Sequence, residues 1–255
     1  MRDALWQFLG ALAAASILSA SPAMGQTAQT WVSSTGTPNG LCSRTQPCRT
    51  FSQAYGATLN GGQIQVLDSG SFGGQLDIKK SITIKAVGAL GSIVVTGYNG
   101  LVIDAPADAR IVIEGLDIDG GRDGAVGILI LGGGQVVVRN TTIRNFSSAG
   151  IYINNLVGRG RIFLTVDNAR INNAEKGIWV STLGDASTAY VWNSVIVGSG
   201  MTGIQAVGPQ SRVEISGNVI NRTPQSLHFY DGAAIASYGD NVLSDGDAPS
   251  SVLKK

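Results

Sequence analysis

One six-residue block recurs down the middle of the chain, and it limits the fold more than any other feature. Ile113-Glu-Gly-Leu-Asp-Ile118 is followed by Val138-Arg-Asn-Thr-Thr-Ile143, Val166-Asp-Asn-Ala-Arg-Ile171, Val191-Trp-Asn-Ser-Val-Ile196 and Ile215-Ser-Gly-Asn-Val-Ile220. The closing Ile returns after 25, 28, 25 and 24 residues. Four blocks lead into a short Gly-Ile strand: Gly127-Ile-Leu-Ile130, Gly150-Ile-Tyr-Ile153, Gly177-Ile-Trp-Val180 and Gly203-Ile-Gln-Ala206. A unit this short cannot bury its apolar face alone. It must stack on its neighbours, which is the sequence signature of a solenoid.

Stacking the blocks generates columns of residues about 4.8 Å apart. Ile113, Val138, Val166, Val191 and Ile215 form one apolar column, and Ile118, Ile143, Ile171, Ile196 and Ile220 a second. Ile128, Ile151, Ile178 and Ile204 form a third. Three apolar columns predict a three-sided coil with a dry interior, and they predict burial of Val138, Ile143, Ile151, Val166, Ile171 and Ile178. Asn140, Asn168 and Asn193 are expected to align at one corner and bond their carboxamides along the stack. Glu114, Arg139 and Asp167 alternate in sign on successive rungs, and Asp119 falls beside Arg144, as cross-strand pairing favours.

The apolar pattern continues outside the blocks. Ile64–Val66, Leu76–Ile78, Ile82–Ile84, Ile93–Val95 and Leu101–Ile103 read as short strands broken by Gly, Asp and Ser. Upstream lies a strand at Trp31-Val-Ser, then a Gly/Pro/Cys-containing loop. Thr50-Phe-Ser-Gln53-Ala-Tyr has Thr at an N-cap and Gln three residues on, the capping-box pattern. This helix is expected to cover the open end of the first coil. The reading is therefore an N-terminal cap over about 26–60 and coils over about 61–245 within one domain, 26–255.

Residues 1–25 read as a signal peptide. Arg2 provides a thin positive start, Phe8 to Ala20 is apolar, and Ala23-Met24-Gly25 offers small residues to a peptidase, with cleavage before Gln26. The apolar stretch is short for a membrane anchor, and no later segment approaches a span. Export to the periplasm or the exterior follows as an expectation. Cys42 and Cys48 are the only cysteines and, behind such a leader, read as a disulfide clipping one loop. A zinc site would need further soft ligands nearby, and there are none. The formal net charge of +1 offers no basic field for nucleic acid.

The V-x-N-x-x-I and G-I-x-I pieces, with Cys48-Arg-Thr-Phe-Ser-Gln-Ala54 leading through Gly61-Gly-Gln-Ile-Gln-Val66, resemble the single-stranded right-handed parallel β-helix proteins of the pectin-lyase-like superfamily. Ala236-Ser-Tyr-Gly-Asp-Asn-Val242 resembles the closing segment of uncharacterised secreted bacterial members. The resemblance covers nearly all of the chain after the leader. It implies an all-β, three-sheet, single-stranded right-handed parallel β-helix with an N-terminal capping helix. It does not imply one activity, because that fold carries lyases, hydrolases, esterases, epimerases and adhesins.

Lyases of the superfamily gather acids around calcium with a basic residue beside them, and calcium takes six or more oxygens. The nearest set here is Asp117, Asp119 and Asp123 with Arg122 between, and no neighbouring coil adds a carboxylate. No metal site is assigned, and Ca2+ has only this incomplete set behind it. The hydrolases' Asn-Thr-Asp run, Asp-Asp pair and Gly-His-Gly do not occur, nor does a recognisable esterase pair. The sole His, His228, reads either as a general acid with Asp231 or as an end-cap residue. Asp117, Asp119, Arg122 and His228 are therefore the catalytic candidates, without a lyase, hydrolase or esterase motif around them.

Aromatic residues give the sharper binding signal. The middle residue of each Gly-Ile strand points outward, so Tyr152 and Trp179 meet on adjacent coils, and Tyr190 and Trp192 point outward nearby. Exposed aromatic faces suit sugar rings or a protein partner, or else a loop folds over them. Tyr152 and Trp179, with Arg144 and Lys176 for uronic-acid carboxylates, are the glycan-binding candidates. The leading expectation is a secreted or periplasmic, non-catalytic protein that binds a polysaccharide or cell-envelope partner. The alternatives are a polysaccharide lyase or glycoside hydrolase acting on an acidic glycan, and a structural surface protein or adhesin.

Overall fold

The computed structural model describes residues 25–38, 41–121, 123–244 and 248–252. The expected signal peptide, apart from Gly25, and the candidate Arg122 lie outside the described residues.

The chain winds as a parallel β-solenoid of about seven turns. The first face is a sheet that includes Arg110–Glu114, Gln135–Arg139, Ile162–Asp167, Ser187–Trp192 and Ser211–Ser216. Its register pairs Val138 with Ile113 and Val166, and Val191 with Val166 and Ile215, as the blocks predict. On the second face Ile143 pairs with Ile118 and Ile171, and Ile196 with Ile171 and Ile220. On the third, Ile151 pairs with Ile128 and Ile178, and Ile178 with Ile204. Two strands, Thr142–Asn155 and Arg170–Thr182, run without interruption from the second face to the third, and their register shifts between Phe146 and Ala149.

Alternation explains the interior. Every second residue turns inward, and most inward positions carry Val, Ile, Leu or Ala. Val138, Ile143, Ile151, Val166, Ile171 and Ile178 are at most 1% exposed. Each such side chain contributes about 1.5–3 kcal/mol by leaving water, and each meets its counterparts one rung above and below.

The corner after the first face needs a left-handed residue. Gly115, Asn140, Asn168, Asn193 and Gly217 fill this one column, all with φ between 49° and 73°. Gly adopts that conformation freely, and Asn is among the few side chains that tolerate it. Asn168 Nδ2 donates to Asn140 Oδ1 at 2.7 Å, as expected of a ladder. Asn193 departs from it: its Nδ2 donates to Asp167 Oδ1 at 3.0 Å. A carboxylate one residue before Asn168 is a stronger acceptor than an amide oxygen. A second ladder turns the next corner, where Asn173 donates to Asn145 (3.3 Å) and Asn145 to Asp119 (2.9 Å).

The cap forms where its sequence signal lies. The helix Phe51–Ala57 begins at Thr50, whose hydroxyl accepts from Gln53 N, while Gln53 Oε1 accepts from Thr50 N. Phe51 and Ala54 are buried against the first coil. The upstream strand is longer than expected, Thr27–Thr37, and adds a parallel rung to Thr58–Val66. At the other end Ser251–Val252 pairs with Ala236–Ser237.

Cys42 and Cys48 form the expected disulfide, both about 1% exposed. It closes the loop on itself, and Trp31 N, donating to Cys42 O at 2.8 Å, ties that loop to the first strand. Closing so short a loop is worth about 2 kcal/mol. Protein unfolded without reductant will show no titratable thiol. Reduction will speed amide exchange in residues 41–49 and leave exchange in the coils between Arg110 and Ile220 unchanged, because coil stability is carried by adjacent rungs. Equal acceleration throughout the coils would contradict this.

Candidate functional site

The third face carries the outward column that contains Tyr152 and Trp179. Asp77, Val102, Leu129, Tyr152, Trp179, Gln205 and His228 pair in succession along it. The Gly-Ile strands place these residues outward because the preceding Ile is inward. Tyr152 and Trp179 meet as the repeat predicts, with ring centroids 4.0 Å apart and planes 8° from parallel. Their orientation differs from a flat platform. Rings stacked along the column turn one face each to the other, so edges rather than broad faces look out from the sheet.

The surroundings complete this geometry. Lys176 Nζ lies 4.9 Å from the Trp179 ring centroid and 2.7 Å from Glu175 Oε1. Cation–π attraction of this kind contributes about 0.5–2 kcal/mol. Only 9% of Lys176 is exposed, and its ammonium lies over the Trp179 ring. The Trp179 Nε1 donor is buried and meets no acceptor among the described residues. Burial pushes the Tyr152 hydroxyl above the usual tyrosine range, partly offset by its hydrogen bond with Ser181. Gln205 is 5% exposed, and its Nε2 reaches Tyr230 Oη at 3.4 Å.

Beside the ring pair lies a cleft of about 240 Å³ lined by Leu131, Asn154, Leu156, Val157 and Arg159. Leu131 and Asn154 follow Leu129 and Tyr152 by two residues and so share their outward side. Arg159 pairs with Asp104, and the buried Asn155 holds the loop by donating to Gly160 O (3.0 Å) and Asp185 O (2.7 Å). Sequence columns did not find Arg159, Leu156 or Val157, because loop residues have no place in the repeat. Strand alternation alone would have found Leu131 and Asn154.

Arg144 is placed elsewhere. It sits on the second face, where Nε and Nη2 donate to the two Asp117 oxygens at 3.1 and 2.8 Å and Nη1 reaches Asp119 Oδ2 at 2.9 Å. The hydrogen bonds to Asp117, with the charges of Asp117 and Asp119, hold its guanidinium above the usual arginine range against a smaller desolvation penalty. The structure thus groups Arg144 with the acids rather than with Tyr152 and Trp179. Asp119 also accepts from Asn145 Nδ2 and Gly121 N, each at 2.9 Å. Asp123 accepts from Gly97 N at 3.1 Å. These carboxylates hold turns and a guanidinium. A cation would have to displace Arg144 to use them, and among the described residues no three His, Cys, Asp or Glu converge for a metal.

His228 ends the aromatic column two rungs beyond Trp179 and tilts against Tyr230 at 5.0 Å between centroids. No hydrogen bond joins it to Asp231, which occupies a left-handed turn with φ 53°. The sequence treated His228 and Trp179 as separate features; the register puts them on one ladder.

Comparison with known families and structures follows the same outline. The family model described as "Right handed beta helix region" matches residues 52–220. No curated protein matches the chain. Among solved structures, the chain is similar to one described as "Crystal structure of pectate lyase Pel9A", at 14% identity and a TM-score of 0.46, over 89% of this chain and 80% of that one. That likeness is too distant to bear on activity.

Proposed function

The chain belongs to the right-handed β-helix family, and from that premise we propose that it is an exported protein that binds a polysaccharide or cell-envelope partner without transforming it. The observation that carries this reading is the third face. A rigid parallel sheet there displays the Tyr152–Trp179 pair, the Lys176 ammonium and the adjoining cleft with Arg159. The rings offer edges, and a shallow surface of this kind binds in the micromolar-to-millimolar range. An acidic glycan would exchange the Glu175 and Asp104 partners of Lys176 and Arg159 for its own carboxylates. Export is supported by the Cys42–Cys48 disulfide, which is stable in oxidising compartments. Among the described residues no helix is long and apolar enough to cross a membrane.

Trp179→Ala is expected to weaken binding of an acidic polysaccharide about tenfold, the loss of one aromatic contact, read by calorimetry or affinity electrophoresis against acidic and neutral glycans. The core is spared, because Trp179 points outward. Unchanged affinity would move the site off this face, and no binding by the wild type would favour a structural role. The enzyme alternative has its own readout in the same samples. Calcium-dependent growth of absorbance from unsaturated product on pectate or alginate would establish a lyase and overturn the non-catalytic reading.

A further inference from the structure

One rung separates Tyr152 from Trp179, and at about 4.8 Å between backbones the two rings close on each other. The first face repeats this column with a gap in it. Trp192 pairs with Ser216, and Ser237 with Ile215, so Tyr238 follows Ser216 on the next rung of the same outward column. Trp192 and Tyr238 therefore stand two rungs apart, roughly 9.6 Å by the same spacing. A ring held in contact with both needs about 7–8 Å, two contacts of ~3.5–4.0 Å. The small side chain of Ser216 leaves that space open. A cleft of about 350 Å³ lies there, lined by Trp192, Asn193, Ser216 and Tyr238.

The cleft is set in place from several sides. Tyr190 packs against Trp192, with centroids 5.7 Å apart and planes tilted 47°. Asn193 is fixed by its left-handed backbone and its bond to Asp167, and the Ser216 hydroxyl donates to Asp240 Oδ2 at 2.9 Å. The Asp167 and Asp240 carboxylates thus hold the lining, and Asp167, one rung from Trp192, disfavours an anionic ring there. Asn193 also lines a neighbouring groove of about 200 Å³ that runs along the corner past Asn140 and Asn168. The groove is lined by side-chain carboxamides, Thr142 and Arg170, groups that hydrogen-bond sugar hydroxyls.

We propose that this cleft is a saccharide site separate from the third face. One neutral pyranose ring lies over Ser216 between Trp192 and Tyr238, and the glycan chain continues along the asparagine corner. An aromatic face packs well on the C–H face of a sugar, and the rung arithmetic admits one such ring. The site does not depend on the reading of Tyr152 and Trp179.

Calorimetry of the full exported chain with cellohexaose, xylohexaose and mannohexaose, and with an oligogalacturonate of equal length, tests it. Ser216→Tyr is the deciding variant. It fills the missing rung with a third ring, as Tyr152 and Trp179 already do, on an outward position that leaves the core intact. At least one neutral hexasaccharide should bind, at least about tenfold more tightly than the oligogalacturonate. Ser216→Tyr and Trp192→Ala should each weaken that binding at least about tenfold, while Trp179→Ala leaves it unchanged. If the melting profile of Ser216→Tyr departs from wild type, Trp192→Ala and Tyr238→Ala decide in its place. A folded Ser216→Tyr that binds as wild type overturns the proposal, as does a wild type that takes no neutral saccharide or prefers the oligogalacturonate. Loss of neutral-glycan binding in Trp179→Ala alone would also overturn it and assign the ligand to the third face.

Discussion

Val166→Asp will cost at least about 4 kcal/mol, a large part of the stability of an ordinary domain. Val166 is fully buried and packs between Val138 and Val191 on the rungs either side. The inward column offers a carboxylate no hydrogen-bond donor, because its neighbours are aliphatic. The proton equilibrium gives this prediction a second signature. Burial raises the folded-state pKa of the new acid above its unfolded value, so its contribution is least unfavourable below the unfolded pKa and worsens as pH rises through the folded one. The deficit should therefore be larger at neutral pH than in mild acid. Thr165→Asp is the control, since Thr165 points outward beside Tyr190 and should cost no more than about 1 kcal/mol, the span of strand propensity. Urea unfolding of the three proteins at two pH values provides the measurement. A Val166→Asp protein as stable as the Thr165→Asp protein would mean that the first apolar column does not face inward.

The columns were legible for a physical reason. An inward position in a β-solenoid meets only its own counterparts on adjacent coils, so the same side-chain class recurs at the coil length. Val138, Val166 and Val191 announce the stack without any structure. The Thr50–Gln53 capping box was equally local and equally readable. Features that depend on side-chain torsions or on irregular chain were not. Register put Tyr152 beside Trp179, but the edge-out stacking depends on where each ring points from its Cα. Asp119 was expected beside Arg144, whereas the closer grip of Asp117 on the same guanidinium needs the arginine to lean across its strand. A polar ladder inside the coil also escaped. Asn218 is 1% exposed; its carboxamide donates to Val191 O (2.7 Å) and accepts from Ser194 N (2.9 Å). Asn at a block position where other coils have Leu, Thr, Ala and Ser hides that function. The Trp192–Tyr238 cleft was invisible for another reason, since Tyr238 lies beyond the last repeat block and had no column until the final rung was seen to pair.

Gly177→Ala will lower stability by about 2–3 kcal/mol, although the substitution adds only a methyl group to a strand. Alanine ordinarily improves on glycine there by about 0.5–1 kcal/mol. Close approach of the next coil reverses the sign. A Cβ on Gly177 would lie 2.4 Å from Ile196 Cγ2 and 2.5 Å from the Gly203 carbonyl oxygen. Gly150 stands in the same position one coil earlier, 2.4 Å from Ile171 Cγ2 and 2.7 Å from the Gly177 carbonyl oxygen. The Gly-Ile strand thus begins with glycine because a coil's second-face isoleucine methyl and its third-face carbonyl occupy the space a side chain would take. Neither contact relaxes easily. The isoleucine is locked in the core, and the carbonyl belongs to the neighbouring rung's ladder. Gly56→Ala supplies the opposite case, since Gly56 lies within the capping helix and a Cβ there meets nothing within 4 Å. That variant should gain about 0.5–1 kcal/mol from helix propensity and reduced chain entropy. Thermal or urea unfolding of both variants against the parent tests the pair. A neutral or stabilising Gly177→Ala would show that the coils can separate locally, and the close spacing that positions Tyr152, Trp179 and Trp192 would lose its cause.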